Sequence, residues 1–354
     1  MEVKGVNIEA MSGGITDVPG VEVGHASDFE GITGCTVVLF RKGAIGGGLA
    51  PGMAAGTRGM DLFRGLHLRD EIHGILLAGG SGFGLDATGG VMRYLEEQGI
   101  GFDVRITKVP RVPSAVIFDL PLGNCRRRPD VEMGYQACLN ASSGPVEQGS
   151  VGVGTGATVG KLYGLRRAMK GGIGTASIAG PYGLVGALAV VNAFGDVLDY
   201  RTGEILAGLR DETGTKVIGT AEEMKKGKLP RDFDFGFRFR EGENTTLAVV
   251  VVEASLIKPE LNVLALMAQR ALVKTISPIH TTFDGDVIFT ASLRTYNGEA
   301  DLNLLGLLAE EALAQAVNNA IKQAKGLGGI PSHSELFKGK GVNRAGQEQG
   351  VKGG

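Results

Sequence analysis

The chain has 354 residues, 43% of them hydrophobic, and a formal charge of −2. That is enough apolar material for one sizeable α/β core, and the near-neutral charge excludes the electrostatic footprint of a nucleic-acid or anionic-membrane binder. Cys35, Cys125 and Cys138 form no C-x-x-C, which argues against a disulfide framework and a zinc site.

The first residues lack a basic-then-apolar signal pattern and no apolar run reaches the length of a membrane span, so a cytoplasmic protein is expected. The 59 glycines lie among apolar runs without a collagen-like period, which predicts tight turns and close backbone packing. Residues 36–40 (TVVLF) and 72–78 (IHGILLA) read as buried strands, the second ending in the turn GGSGFG. A helix is predicted over 86–98, with Val91, Tyr94 and Leu95 on one face. Residues 114–120 are strand-like, Arg126, Arg127 and Arg128 read as a solvated loop, and 133–141 as a helix.

A Gly-rich stretch, GSVGVGTGATVGK, ends at Lys161. Residues 184–198 are apolar and β-branched, hence strand; 221–229 are charged and read as a mobile linker. In 231–240, Phe233, Phe235, Phe237 and Phe239 recur with period two, the mark of a strand with one buried face. After EGEN comes TTLAVVVVEA, the most strand-like segment in the chain. A helix over 259–275, a strand over 284–293 and a helix over 302–324 follow; 331–354 reads as a disordered tail. The pattern predicts a single layered α/β domain over 1–330.

Four sequence features bear on chemistry. At Asn244-Thr245 a polar loop meets the first position of a buried strand. A threonine hydroxyl is a poor nucleophile without a base, and the amine of an N-terminal Thr is a recognised base for it. An internal Thr gains that amine only if the chain is cut before it; the plainer reading is a polar turn. Asp284-Gly285-Asp286 would point two carboxylates the same way if it opened a strand, one of them titrating high unless a cation such as a Thr ammonium or Lys161 lay between them. A D-G turn or a loose calcium-ligand pair is the alternative. Asn192, ending an apolar strand, must satisfy its buried amide, structurally or by donating to an oxyanion. Lys161 does not belong to a phosphate-binding loop, since the glycine and hydroxyl positions of that motif are missing. It orients a nucleophile or is a surface lysine.

The segments GITDVPGVEVGHASD, LLAGGSGFGLDATGGVMRYLEEQG, VGVGTGATVGK, VVNAFGDV, ENTTLAVVVVEA and DGDVIF resemble, in order, the P1 family of peptidases. That family includes the L-aminopeptidase/D-amino-acid esterase and the β-aminopeptidases, and the resemblance looks closest to its nylon-oligomer (6-aminohexanoate oligomer) hydrolase branch. It implies an αββα sandwich similar to N-terminal-nucleophile hydrolases, made as a precursor and cut into an α part, 1–244, and a β part, 245–354. It further implies a Thr245 nucleophile, with Lys161 and Asn192 beside it and Asp284 and Asp286 holding the catalytic network. A tetramer of cut chains, no metal or organic cofactor, and small amides or short peptides as substrates are implied as well. Many relatives carry Gly-Ser at the cut. Asn-Thr here matches the nylon-oligomer branch, whereas Phe118 stands where that branch is expected to carry a substrate-contacting Tyr. Three rival readings are a non-catalytic oligomeric scaffold, an ornithine-acetyltransferase-like acyltransferase and a dinucleotide-binding oxidoreductase, the last from the G-x-G-x-x-A turn at Gly82 with Asp103 downstream.

Overall fold

The run TTLAVVVVEA forms a strand in which every residue but Glu253 is buried. A strand covered on both faces must lie in the middle of a layered structure. The computed structural model describes residues 10–11, 13–228 and 244–337. The strands that carry the fold are β1 (Glu22–Asp28), β2 (Thr33–Leu49), β3 (Glu71–Ala78), β4 (Ser114–Val116), β5 (Gly172–Gly180), β6 (Gly183–Asn192), β7 (Thr245–Ala254) and β8 (Val287–Tyr296). The helices are α1 (Ala87–Glu97), α2 (Val131–Leu139), α3 (Thr220–Lys225), α4 (Lys258–Thr275), α5 (Leu302–Lys322) and α6 (His333–Phe337).

β7 runs antiparallel to β6 and parallel to β8; β5 extends the β6 side. β2 carries one continuous hydrogen-bonded path through both sheet layers. Its second half, Ile45 to Leu49, pairs with β8, and its first half pairs with β1 and β3. The register shifts between Leu39 and Ala44, where Gly43 takes a φ of 75°, a conformation L side chains rarely adopt. The bend folds the hydrogen-bonded path back so that two faces meet.

Three apolar cores mark the layers. Between the sheets, Val38, Ile75 and Leu77 meet Leu188, Val190, Leu247, Val249 and Phe289. Ala248, Val250 and Val252, alternate residues of β7, face α4 and α5 through Leu264, Ala268, Leu308 and Ala312. On the far side Val37, Leu39 and Leu76 pack on Val91, Leu95 and Ala137 of α1 and α2. The order helix, sheet, sheet, helix is the αββα sandwich the resemblance implies. Among the described residues no helix is long and apolar enough to cross a membrane.

Several expectations need correction. The strand expected over 184–198 stops at Asn192 and resumes only at Asp196–Leu198. The strand expected over 114–120 ends at Val116, because Asp119 turns its carboxylate onto the Gly80 N–H (2.7 Å) and the Thr33 hydroxyl (2.7 Å). The linker expected over 221–229 overlaps α3 (Thr220–Lys225). Thr220, at its start, donates its N–H and its hydroxyl (2.7 Å) to buried Asp196. The strand expected at Asp284 begins three residues later, at Val287. The tail expected from residue 331 is ordered at first: the Pro331 carbonyl accepts the Lys170 N–H at 2.8 Å, Ser332 is buried, and α6 follows. The phenylalanine repeat of 231–240 and residues 338–354 lie outside the described residues.

Leu188 is wholly buried in the inter-sheet core. Leu188→Ala should lower the unfolding free energy by about 2–5 kcal/mol, read as a fall in urea midpoint at unchanged slope.

Candidate active site

Strand register assembles the site. Asn192, the last residue of β6, pairs with Thr245, the first of β7, and Leu247 pairs with Val287 at the start of β8. Asn244 forms a parallel bridge with Asp284. Three strand ends thus meet at the Asn244–Thr245 peptide. A strap over the turn completes the enclosure, with the Gly52 N–H on the Asp286 carbonyl (3.2 Å) and the Ala54 N–H on the Asp284 carbonyl (3.1 Å).

Thr245 is 2% exposed, and its hydroxyl donates to the Asn244 carbonyl at 2.6 Å. The same carbonyl accepts the Gly285 N–H at 2.7 Å. The Gly285 N–H draws electron density from the carbonyl carbon and sits where an oxyanion would develop, while the hydroxyl bond holds Oγ1 beside that carbonyl. Asn244 Nδ2 donates to the Phe283 carbonyl at 3.3 Å, while its buried Oδ1 has no partner among the described residues.

Asn192 is held in one orientation. Its Oδ1 accepts from Lys161 Nζ (2.8 Å) and the Thr158 N–H (3.0 Å), and both are pure donors there. Its Nδ2 therefore faces the Phe118 carbonyl at 3.3 Å. Lys161 also donates to the Asn192 carbonyl at 3.0 Å and is 7% exposed, so it is not a surface lysine. Phe118 is half-buried and lines, with Asp119, Leu122, Thr158, Lys161 and Leu165, a narrow cleft of about 10 Å³, room for one water.

The carboxylates are arranged otherwise than a strand would place them. Asp284 and Asp286 sit in the turn before β8, both fully buried. Asp284 Oδ1 accepts the Phe194 N–H (3.2 Å), and Oδ2 takes the Thr281 N–H (3.0 Å) and hydroxyl (2.6 Å). Asp286 Oδ1 accepts the Thr246 N–H (2.6 Å), and Oδ2 lies 2.8 Å from His280 Nδ1. The group beside Asp286 is thus His280, whereas Lys161 is directed onto Asn192. Burial first, and then the charge of Asp286, push the Asp284 carboxyl up to about 6.

Behind the Gly-rich turn lies a second buried pair. Lys170 Nζ donates to the Thr155 (2.8 Å) and Ala157 (2.7 Å) carbonyls, fixing the backbone before Lys161. Burial lowers Lys170 to about 7 and raises Asp119 to about 6. Sequence reasoning missed His280, Thr281, Gly285, Asp119 and Lys170. Only His280-Thr281, polar and just ahead of DGD, carried a signal; a backbone N–H such as that of Gly285 has none. The turn at Gly82 follows β3 and leads into α1, but Asp103 is engaged with Lys108 (2.7 Å) and the Arg105 N–H (2.7 Å).

The αββα frame is shared with solved structures of aminopeptidases. The Ochrobactrum anthropi L-aminopeptidase D-Ala-esterase/amidase, described as a variant of the Ntn hydrolase fold, matches over 94% of this chain and 96% of that one, at TM-score 0.67 and 18% identity. A Burkholderia β-aminopeptidase gives TM-score 0.63 and 20% identity over 96% of this chain and 97% of that one. The chain belongs to Peptidase family S58, whose description matches residues 13–334. It is 36% identical over 347 residues to an uncharacterized aminopeptidase of Mycobacterium tuberculosis, covering 92% of this chain and 98% of the relative. To the 6-aminohexanoate-oligomer endohydrolase of Kocuria sp. it is 31% identical over 320 residues, 86% of this chain and 85% of that protein. It is therefore a peptidase or amidase acting on C–N bonds.

A carboxyl whose folded pKa lies above its unfolded value keeps its proton longer in the folded chain. The stability Asp284 contributes is then full below about 4 and lost as pH rises through about 6. Asp284→Asn should flatten that part of the curve, checked by urea midpoints at several pH values between those limits.

Proposed function

We propose that the chain cuts itself between Asn244 and Thr245 and that the freed Thr245 is the nucleophile for hydrolysing amides. One observation carries this reading: the Thr245 hydroxyl and the Gly285 N–H converge on the Asn244 carbonyl at 2.6 and 2.7 Å. In the first reaction Thr245 Oγ1 bonds to the Asn244 carbonyl carbon as its proton passes to the Thr245 nitrogen. The C–N bond then breaks, leaving that nitrogen as a free amine. Water hydrolyses the resulting ester, leaving the Asn244 carboxylate and a free Thr245 amine.

Turnover repeats the attack on another carbonyl. The new amine takes the hydroxyl proton, and Oγ1 attacks the substrate carbon. The leaving amine departs protonated, and water releases the acyl group. Asn192 Nδ2 supports the oxyanion of this second reaction, and Lys161 fixes its amide. Asp284 and Asp286 hold the amine, and Phe118 lines the approach. All these groups belong to the chain itself.

The substrates proposed are short peptides, amino-acid amides and 6-aminohexanoate oligomers, the last from the similarity to the Kocuria enzyme. The mature form is proposed as a cytoplasmic tetramer of cut chains, the α part being 1–244 and the β part 245–354. Light scattering of purified material tests the tetramer.

Intact mass measurement of fresh protein should give two polypeptides, the smaller beginning Thr245-Thr246-Leu247. Thr245→Ala should remain whole and lose hydrolysis of amino-acyl amides by at least about 10³-fold. Active protein that stays in one piece would overturn the reading. Preferential acetyl transfer from acetyl-ornithine to an amine would convert it to an acyltransferase.

A further inference from the structure

We propose that His280 is a positioning residue of this site, locking Asp286 on the backbone beside Thr245; this rests on the reading above. Asp286 Oδ1 accepts the Thr246 N–H at 2.6 Å, one residue past the proposed nucleophile. A single hydrogen bond leaves a carboxylate free to rotate. His280 Nδ1, 2.8 Å from Oδ2, removes that freedom. On the other side of the ring, His280 Nε2 lies 2.9 Å from Gln269 Nε2, on α4. A carboxylate accepts and an amide NH₂ donates, so Nδ1 carries the hydrogen and Nε2 accepts. Donation therefore runs from Gln269 on a rigid helix through His280 to Asp286, which also accepts the Thr246 N–H at the cut site.

His280 has a φ of 53°, in the left-handed region where His, like Asn and Asp, is enriched among non-glycine residues. His280 and Thr281 divide the work. Thr281 donates twice to Asp284 (3.0 and 2.6 Å) and His280 serves Asp286, so one dipeptide orients both buried carboxylates. The reacting groups touch neither residue; His280 acts through Asp286.

The test uses the full chain with His280→Gly, His280→Asn and His280→Asp. All three suit a positive φ, which separates the backbone from the side chain. Asn places an N–H where Nδ1 stands; Gly has no donor, and Asp has the shape of Asn without the donor. Self-cleavage, followed by gel after a synthesis pulse, should slow about 10- to 100-fold in the Gly and Asp variants and by only a few-fold in Asn. Matured fractions should show the same order in kcat with KM unchanged. Gly cutting and turning over at the parent rate overturns the proposal, as does Asn no faster than Asp. The Asn–Asp comparison decides the matter where Gly does not fold. If the parent itself stays whole yet active, the self-cleavage reading falls, and the kcat order of the variants alone decides the role of His280.

Discussion

The hydrogen bond from the Gly285 N–H to the Asn244 carbonyl is the constraint on which the rest of the site depends. It joins the turn before β8 to the residue before β7, so the peptide between Asn244 and Thr245 has no freedom to swing away. The parallel pairing of β7 with β8 sets that contact, and the antiparallel pairing with β6 brings Asn192 opposite Thr245. A slip of one residue would turn every β7 side chain to the other face, placing Thr245 under the helices and Thr246 between the sheets. The alternation of Leu247, Val249 and Val251 with Ala248, Val250 and Val252 forbids that slip, because each set fits its own core. The core thus holds the chemistry in register.

Burying so many polar groups beside this peptide is tolerable only because nearly all are paired. Asp284, Asp286, Asn192 and Lys161 each meet partners at hydrogen-bond distance. The exceptions among the described residues, Asn244 Oδ1 and Thr246 Oγ1, flank the proposed cut. Unsatisfied buried oxygens cost free energy.

The layers were legible because burial patterns report them: β7 and β3 are continuous apolar runs, and α1, α4 and α5 carry apolar stripes. β2 was not. Only 36–40 read as strand, since the run Gly46-Gly47-Gly48 looks like a turn. In the fold that run is the strand's second half, bare so that α4 can approach. A Cβ on Gly47 would lie 2.5 Å from the Leu261 Cβ. Thr245, Asn192, Lys161, Asp284 and Asp286 were singled out from local chemistry and the family resemblance, and the fold gathers them around one peptide. Their partners were not legible. The neighbour of Asp286 is fixed by the loop at His280 and by Gln269 on α4, and no spacing rule connects those to Thr245.

Because β7 lies in the middle of its sheet, with one neighbour on each side of the proposed cut, scission there would not separate the molecule into independently stable bodies. It would change the order of the folding reaction. An intact chain finds its core unimolecularly; a severed one must bring two polypeptides together, so its recovery from denaturant would depend on protein concentration. A chain that has acted on itself would keep its shape but lose the tether that first guided it there.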